Sequence, residues 1–311
     1  MKKNILIIGG SGFVGTNLLK KIDKKKNYLF STIKSQRKFI KIKGVKYFKG
    51  NLKNLNFCRK ITKNIDTVYM CAAVSSGAHD IQNNPMFHVD DNILINMNTL
   101  KASSENKVKK FIFLSSNTVY PVGTKKMSEN MLDYTIFHKY FNVGWMKIFS
   151  EKLCEMYKEK MNILIIRPGN LYGPHDKFDK SRSKVIPSLI KKFEESKIIE
   201  VWGRGEDIKD FIYVDDFIDA LLKLVDKNKD RFSIFNIAYG KSISLKKIIN
   251  FLKKIYKIDS SRIKFNKTKP SMIPIRRISN RKLNLLINHK NKFDYKKGIT
   301  ETIKWYKKNI K

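Results

Sequence analysis

Acidic residues are scarce in this chain: 27 Asp and Glu stand against 65 Lys and Arg, a formal net charge of +38 over 311 residues. A surplus of that size first points to a polyanionic partner, because clustered cations release counterions when they meet phosphates. Arginine is scarce as well. Ten of the basic residues are Arg and the other 55 are Lys, spread along the whole length beside abundant Ile and Asn. An even spread reads as a compositional bias carried on solvated faces, so no specific nucleic-acid partner is expected. Only three cysteines are present, Cys58, Cys71 and Cys154, without metal-ligand spacing or the dense even pattern of a secreted scaffold, and they are expected to be reduced and mostly structural. Long apolar runs are missing too. Nothing approaches the roughly 18 to 20 apolar residues that cross a bilayer, and Ile5 to Ile8 is too short for a signal-peptide core. The expected location is the cytoplasm, with no membrane partner.

What is present is a globular composition, 42% hydrophobic, enough for one large core and a smaller second lobe. Apolar runs at Lys3 to Ile8, Tyr28 to Ile33, Thr67 to Met70, Phe111 to Leu114 and Ile163 to Ile166 alternate with helical patterns at Thr16 to Ile22, Asn92 to Asn106 and Trp145 to Lys160. Strands alternating with helices predict an α/β chain with a Rossmann doubly wound parallel sheet. Beyond about Asn170 the rhythm changes, with a helix at Val185 to Glu195, a strand at Ile198 to Val201 and a helix at Leu245 to Tyr256. This predicts a smaller C-terminal α/β substrate lobe. The expected division is 1–169 for the dinucleotide-binding domain, with about 205–240 returning to it, and 170–311 mainly for the second lobe. No internal repeats or linkers stand out.

The first apolar run ends in Gly9-Gly10-Ser11-Gly12-Phe13-Val14-Gly15. In this spacing Gly9 permits a tight turn, Gly12 lets backbone approach a pyrophosphate, and Gly15 lets the helix pack close to the strand. The helix N-terminus then presents unpaired N–H groups to the phosphates, with Ser11, Phe13 and Val14 around them. The expected cofactor is NAD or NADP. An acidic residue at the end of the second strand would hold the ribose hydroxyls and exclude a 2′-phosphate. Residues 31–37 contain none, and Lys34 or Arg37 is available to a 2′-phosphate, but lysine is so common here that both cofactor forms stay open.

Further blocks follow: Cys71-Ala72-Ala73, Asn92, Leu114-Ser115-Ser116 with Val119-Tyr120-Pro121, Lys147 with Glu151, and the run from Arg167 to Asp176. Val185-Ile186-Pro187, Val201-Trp202-Gly203 and Phe211 to Asp216 complete the series. In this order they resemble the extended short-chain dehydrogenase/reductase family, the NAD-dependent epimerases and dehydratases, and within it most nearly the GDP-L-fucose synthase branch. The resemblance covers almost the whole chain. It implies an NAD(P)-dependent oxidoreductase acting on a GDP-sugar or other nucleotide-sugar, with Ala72, Ala73 and Lys147 at the cofactor. It also implies a homodimer joined through a four-helix bundle of the helices at 92–106 and 145–160.

Moving a hydride to or from a sugar carbon changes the charge on the sugar oxygen, so a proton must move with it. The resemblance assigns this to a serine, matched by Ser116, and to a tyrosine one helical turn before a lysine, matched by Lys147. Val143 occupies the tyrosine position, and valine neither donates nor accepts a proton. Tyr140 and Tyr134 are the nearest phenols upstream. Thr118 stands at a cysteine acid/base position of the branch. Lys184 stands at a histidine position, where a lysine resembles instead the GDP-mannose 3,5-epimerases. At the sugar-nucleotide end the resemblance places Asn170 at the sugar, Val185 and Trp202 as apolar walls, and Lys191, Lys192, Lys209 and Arg276 or Arg277 at the diphosphate. Three readings result: a hydride-transferring oxidoreductase using Ser116 and Lys147, either like the GDP-L-fucose synthase branch or a carbon-4 dehydrogenase, an epimerase using Lys184 and Thr118, and a non-catalytic nucleotide-sugar-binding protein.

Overall fold

The computed structural model describes residues 2–34, 39–75, 84–179, 183–269 and 272–310. Its first half runs β1 (Lys3–Ile8), α1 (Phe13–Lys21), β2 (Asn27–Ile33), β3 (Val45–Lys49), α2 (Leu55–Thr62), β4 (Thr67–Met70), α3 (Val89–Glu105), β5 (Lys110–Leu114), β6 (Lys126–Met127), α4 (Phe141–Met156) and β7 (Asn162–Pro168). The second half runs β8 (Asn170–Tyr172), α5 (Val185–Glu195), β9 (Ile199–Trp202), β10 (Ile208–Lys209), β11 (Phe211–Tyr213), α6 (Val214–Lys227) and β12 (Phe232–Ile237). It ends with β13 (Ile243–Ser244), α7 (Leu245–Tyr256), β14 (Ile263–Asn266), β15 (Ile275–Ile278), α8 (Arg281–Ile287) and α9 (Tyr295–Asn309).

Seven strands form one sheet in the order β12-β7-β5-β4-β1-β2-β3, every neighbour parallel. This is the doubly wound arrangement expected from the sequence, and the strand order reverses direction between β1 and β4. A parallel sheet covered on both faces needs apolar side chains on both, which is why β1 reads as a continuous run. Ile5 and Ile7 face a cluster with Leu18 of α1 and Phe217 and Leu221 of α6. Leu6 and Ile8 face the opposite cluster, with Val68, Leu100 of α3 and Ile163. Asp215 and Asp216 sit in the first turn of α6, at the positive end of its dipole.

The smaller lobe has its own core, where α5, α7 and α9 bring Ile190, Phe193, Ile248, Leu252, Ile303 and Tyr306 against Ile199 and Val201 of β9. A four-stranded sheet, β13-β10-β15-β6, lies beside it, with the two-stranded pairs β8-β11 and β9-β14. β3 and α2 have no counterpart in the sequence reading. β3 is a half-buried edge strand whose short apolar stretches are broken by Lys46 and Lys49, and α2 is eight residues long with a polar outer face, so neither makes a continuous apolar run. Three helices begin earlier than expected, α1 at Phe13, α3 at Val89 and α4 at Phe141. No helix among the described residues is long and apolar enough to cross a membrane.

Candidate active site

The C-terminal end of β1 enters the glycine loop at the point where the strand order reverses. Gly9 has φ +89°, and a Cβ there would stand 2.7 Å from the backbone of Ala72. A Cβ on Gly15 would meet the Gly9 carbonyl oxygen at 2.3 Å. The loop is therefore folded back on its own helix and pressed against the chain leaving β4, which only glycine allows. Gly12 opens α1 in an extended conformation without a side-chain cap, and the first turn contains no acid, so the helix start is open to an anion. Ser11 is exposed there, with Phe13 and Val14 half-buried.

Two side chains hold the loop's neighbours. Thr32 Oγ1 accepts the Gly9 N–H at 2.9 Å. Asn92 accepts the Val74 N–H and donates back to the Val74 carbonyl, both at 2.9 Å, which fixes Ala72 and Ala73 beside the loop. Lys34 is exposed at the end of β2, and no carboxylate occurs at residues 31–34. Arg37 lies outside the described residues.

Ser116 follows the end of β5 and caps a short 3₁₀ turn. Its Oγ accepts both the backbone N–H of Thr118 at 3.1 Å and the Thr118 hydroxyl at 2.9 Å. With its lone pairs engaged, the Ser116 hydroxyl is left free to donate. Lys147 on α4 reaches the same strand end: its Nζ donates to the Leu114 carbonyl at 2.9 Å and lies 4.9 Å from the Phe113 ring centroid. Desolvation pulls this ammonium down to about 8, only partly offset by the charge of Glu151.

One turn beyond Lys147, Glu151 forms a buried two-pronged pair with Arg167, at 2.6 and 3.0 Å, and accepts the Ser115 hydroxyl. Arg167 also donates to the Tyr120 hydroxyl at 3.1 Å, which in turn donates to Asn236 at 2.7 Å. Burial disfavours the Arg167 charge, but the bonds and charge of Glu151 outweigh it and the guanidinium is held more firmly protonated. Glu151, Arg167 and Tyr120 carried the sequence resemblance without an assigned role. In the structure they link α4, β7 and the turn after β5, next to Ser116 in the chain.

Val143 lies one turn before Lys147 on α4 and is half-buried. Neither upstream tyrosine takes its place. Tyr134 is 47% exposed and stacks on Trp145, which lies on the opposite face of α4 from Lys147. Tyr140 caps the start of α4, and its phenol, pushed up to about 12 by desolvation, lies in the field of Arg276 and Asp207 in the second lobe.

The remaining predicted residues divide. Asn170 lies beside the buried Asp210: its N–H and Nδ2 both bond the Asp210 carbonyl, at 2.7 and 3.0 Å, leaving Oδ1 for a ligand. The Asp210 carboxylate accepts the Tyr239 and Gly240 N–H groups and is pushed up to about 7 by burial. Lys209 and Arg276 are register partners on β10 and β15 and share a face. Lys209 pairs with Asp207 at 3.1 Å. Arg276, expected at the diphosphate, is 1% exposed and spends its Nη groups on the carbonyls of Pro121 and Tyr120, at 2.7 and 2.9 Å. It ties the lobe to the turn after Ser116. Lys192 is likewise occupied, donating to the Glu200 carbonyl at 2.7 Å. Val185 packs at the edge of the lobe core.

Lys184, expected to act with Thr118 in the epimerase reading, is exposed, with its Nζ 5.3 Å from the Phe13 ring centroid and in the field of Asp176. It makes no hydrogen bond to Thr118 among the described residues. Trp202 carries a neighbour that the sequence reading missed: Lys269 Nζ lies 5.7 Å from its ring centroid. In a chain with 55 lysines no local signal distinguishes that one. No cluster suited to a metal ion occurs among the described residues.

A sequence model described as the NAD dependent epimerase/dehydratase family matches residues 5–238. The chain is 25% identical over 321 aligned residues to a dTDP-4-dehydro-6-deoxy-D-allose reductase from Streptomyces sp, covering 98% of this chain and 96% of that one. It is 26% identical to the GDP-L-fucose synthase of Escherichia coli (strain K12), covering 99% and 98%. The fold is shared with the UDP-glucose 4-epimerase of Thermotoga maritima at a TM-score of 0.87, with 20% identity and coverage of 99% and 100%.

Proposed function

The chain belongs to the NAD dependent epimerase/dehydratase family, and on that premise we propose that it is a nucleotide-sugar oxidoreductase that moves a hydride between a nicotinamide dinucleotide and a ring carbon of the sugar. The substrate class is a GDP-linked or dTDP-linked keto sugar, as the names of the similar reductase and synthase suggest. The observation that carries this reading is the Ser116 hydroxyl, whose O–H is left free by its two bonds from Thr118, near Lys147 at the end of the same strand.

The glycine cradle fits the cofactor: Gly9 and Gly15 leave no room for side chains, and the open start of α1 suits a pyrophosphate. When bound, the nicotinamide supplies or accepts the hydride. Ser116 donates a hydrogen bond to the sugar oxygen on which charge develops. Lys147 places a positive charge at the same end of the cleft and holds a proton that solvent replenishes readily at its lowered pKa. Asn170 offers Oδ1 to the sugar, while Lys209 and Lys269 supply charge for the diphosphate. An epimerase built on Lys184 and Thr118 has less support, because the Thr118 hydroxyl is spent on Ser116 and Lys184 sits over Phe13.

The protein is further proposed to work as a homodimer. Phe141, Trp145, Phe149 and Met156 form an exposed apolar stripe along α4, and Leu94 and Met97 continue it on α3. A contiguous apolar face of this kind marks an association surface.

The test is to supply GDP-linked and dTDP-linked 4-keto-6-deoxy sugars with NADH or NADPH and follow nicotinamide absorbance beside product chromatography. Substrate-dependent oxidation of the cofactor that Lys147→Met abolishes is expected. A new sugar isomer with no absorbance change would replace this reading with epimerisation, and tight binding without turnover would replace it with a binding role.

A further inference from the structure

Outside the cleft, the outer face of the β13-β10-β15-β6 sheet carries a cavity of about 330 Å³, lined by Lys126, Ile208, Gly240, Ser242, Ile243, Ser244, Lys247 and Arg277. It holds three cations, two hydroxyls and no carboxylate. Strand alternation puts it on the far side from Lys209, the proposed diphosphate contact: Lys209 and the buried tie Arg276 share the inner face, so their neighbours Ile208 and Arg277 face outward.

Two independent features make this face electrostatically costly as it stands. Lys126 on β6 and Arg277 on β15 are register partners, which places two like charges side by side on adjacent strands. Neither Arg277 nor Lys247 pairs with a carboxylate among the described residues; Arg277 reaches only the Thr124 carbonyl, at 3.2 Å. The positive end of α7 opens at the same place, and its first turn contains no acid. The first N–H groups of α7 are already bonded to the Asp207 and Gly205 carbonyls and to Ser244 Oγ, so an anion here would be held by side chains.

We propose that this cavity is a second anion site, which binds the phosphate group of a small phosphorylated molecule. Lys126, Arg277 and Lys247 neutralise the phosphate, and the Ser242 and Ser244 hydroxyls lie close enough to complete its hydrogen bonds. Ile208 supplies an apolar wall, and the volume leaves space for an attached organic group. Because Lys209, proposed for the diphosphate, lies on the opposite face of β10 from Ile208, occupancy would bear on sugar-nucleotide affinity from behind.

The test needs no sugar substrate and stands apart from the proposed reaction. Inorganic phosphate and ribose 5-phosphate are titrated calorimetrically at constant ionic strength against the whole protein, Arg277→Glu, Lys126→Glu and, as a charge control on α2, Lys60→Glu. Saturable binding is expected that Arg277→Glu and Lys126→Glu each weaken by about tenfold or more, with Lys60→Glu near wild type. GDP affinity, measured in parallel, reports on the cleft. Equal binding of the two probes identifies phosphate alone as the ligand group, and tighter ribose 5-phosphate assigns the apolar wall to the attached sugar. Three results would overturn the proposal: no saturable binding, equal losses in all three variants, or phosphate that GDP displaces competitively.

Discussion

Removing Glu151 should unfold the protein several degrees earlier and disturb the candidate site at the same time. Its pair with Arg167 is almost wholly enclosed, with side chains 5% and 1% exposed, and the two bonds measure 2.6 and 3.0 Å. Glu151→Leu leaves a buried guanidinium with only the Tyr120 hydroxyl and the Glu129 carbonyl as partners. Stranding one member of a buried pair costs about 3 to 5 kcal/mol. With an unfolding entropy near 2.1 cal/mol/K per residue, a chain of 311 residues should lose about 5 to 8 °C in Tm. Calorimetry and urea denaturation measure the loss, and added salt should leave it unchanged because the pair is shielded from mobile ions. Glu151→Leu with Arg167→Met should recover much of the deficit, since a buried pair replaced by apolar residues of similar size is often neutral. Ser115 also loses its acceptor, so turnover in the single variant should fall more than its folded fraction explains. A Glu151→Leu protein within about 1 kcal/mol of wild type would refute the claim that this pair organises the strand end.

The other expectations rest on single residues. Lys147 is protonated below about 8 and loses its charge above it, so kcat/KM for sugar reduction should fall as pH rises through that value, earlier than an ordinary lysine would dictate. Lys147→Arg keeps the charge and should flatten that limb of the pH profile while lowering the rate. Val143→Tyr puts a phenol one turn before Lys147 and should raise kcat by about a hundredfold; an unchanged kcat and pH profile would show that the position has no proton to handle. Lys34→Glu should raise KM for NADPH by about tenfold relative to NADH, read from initial rates with each cofactor. Phe149→Glu places a charge in the exposed stripe of α4 and should shift the sedimenting species toward monomer, with wild-type secondary structure.

The sheet was legible because burial on both faces forces long apolar runs, as Ile5 to Ile8 and Ile163 to Ile166 show. The same physics hid β3, which lies at the edge and is broken by Lys46 and Lys49, and hid α2, whose buried residues are only Cys58, Ile61 and Thr62. Glycines were legible where covalent geometry leaves no substitute, as at Gly9 and Gly15. Side-chain destinations were not. Lys192, Lys209 and Arg276 share the charge that a diphosphate needs, yet burial turns Arg276 into a tie to the Tyr120 and Pro121 carbonyls and turns Lys192 toward Glu200. A positive charge in a sequence does not say whether solvent, a carbonyl or a ligand will neutralise it, and with 55 lysines the composition removes even the statistical signal.

Val143 shows how a local absence acquires meaning only in three dimensions. In the sequence it is a gap with two tyrosines upstream as possible replacements. The structure separates them, because α4 begins at Phe141 and leaves Tyr140 as its cap, in the field of Arg276 and Asp207, while Tyr134 lies against Trp145 on the opposite face. The groups left at the end of β5 are a serine held as a donor by Thr118 and a desolvated lysine bonded to Leu114. A proton supplied there without a phenol passes through Lys147 or through water, and Val143→Tyr distinguishes these routes: a restored phenol should make kcat less sensitive to Lys147→Arg if the lysine was the donor, and leave that sensitivity unchanged if water was.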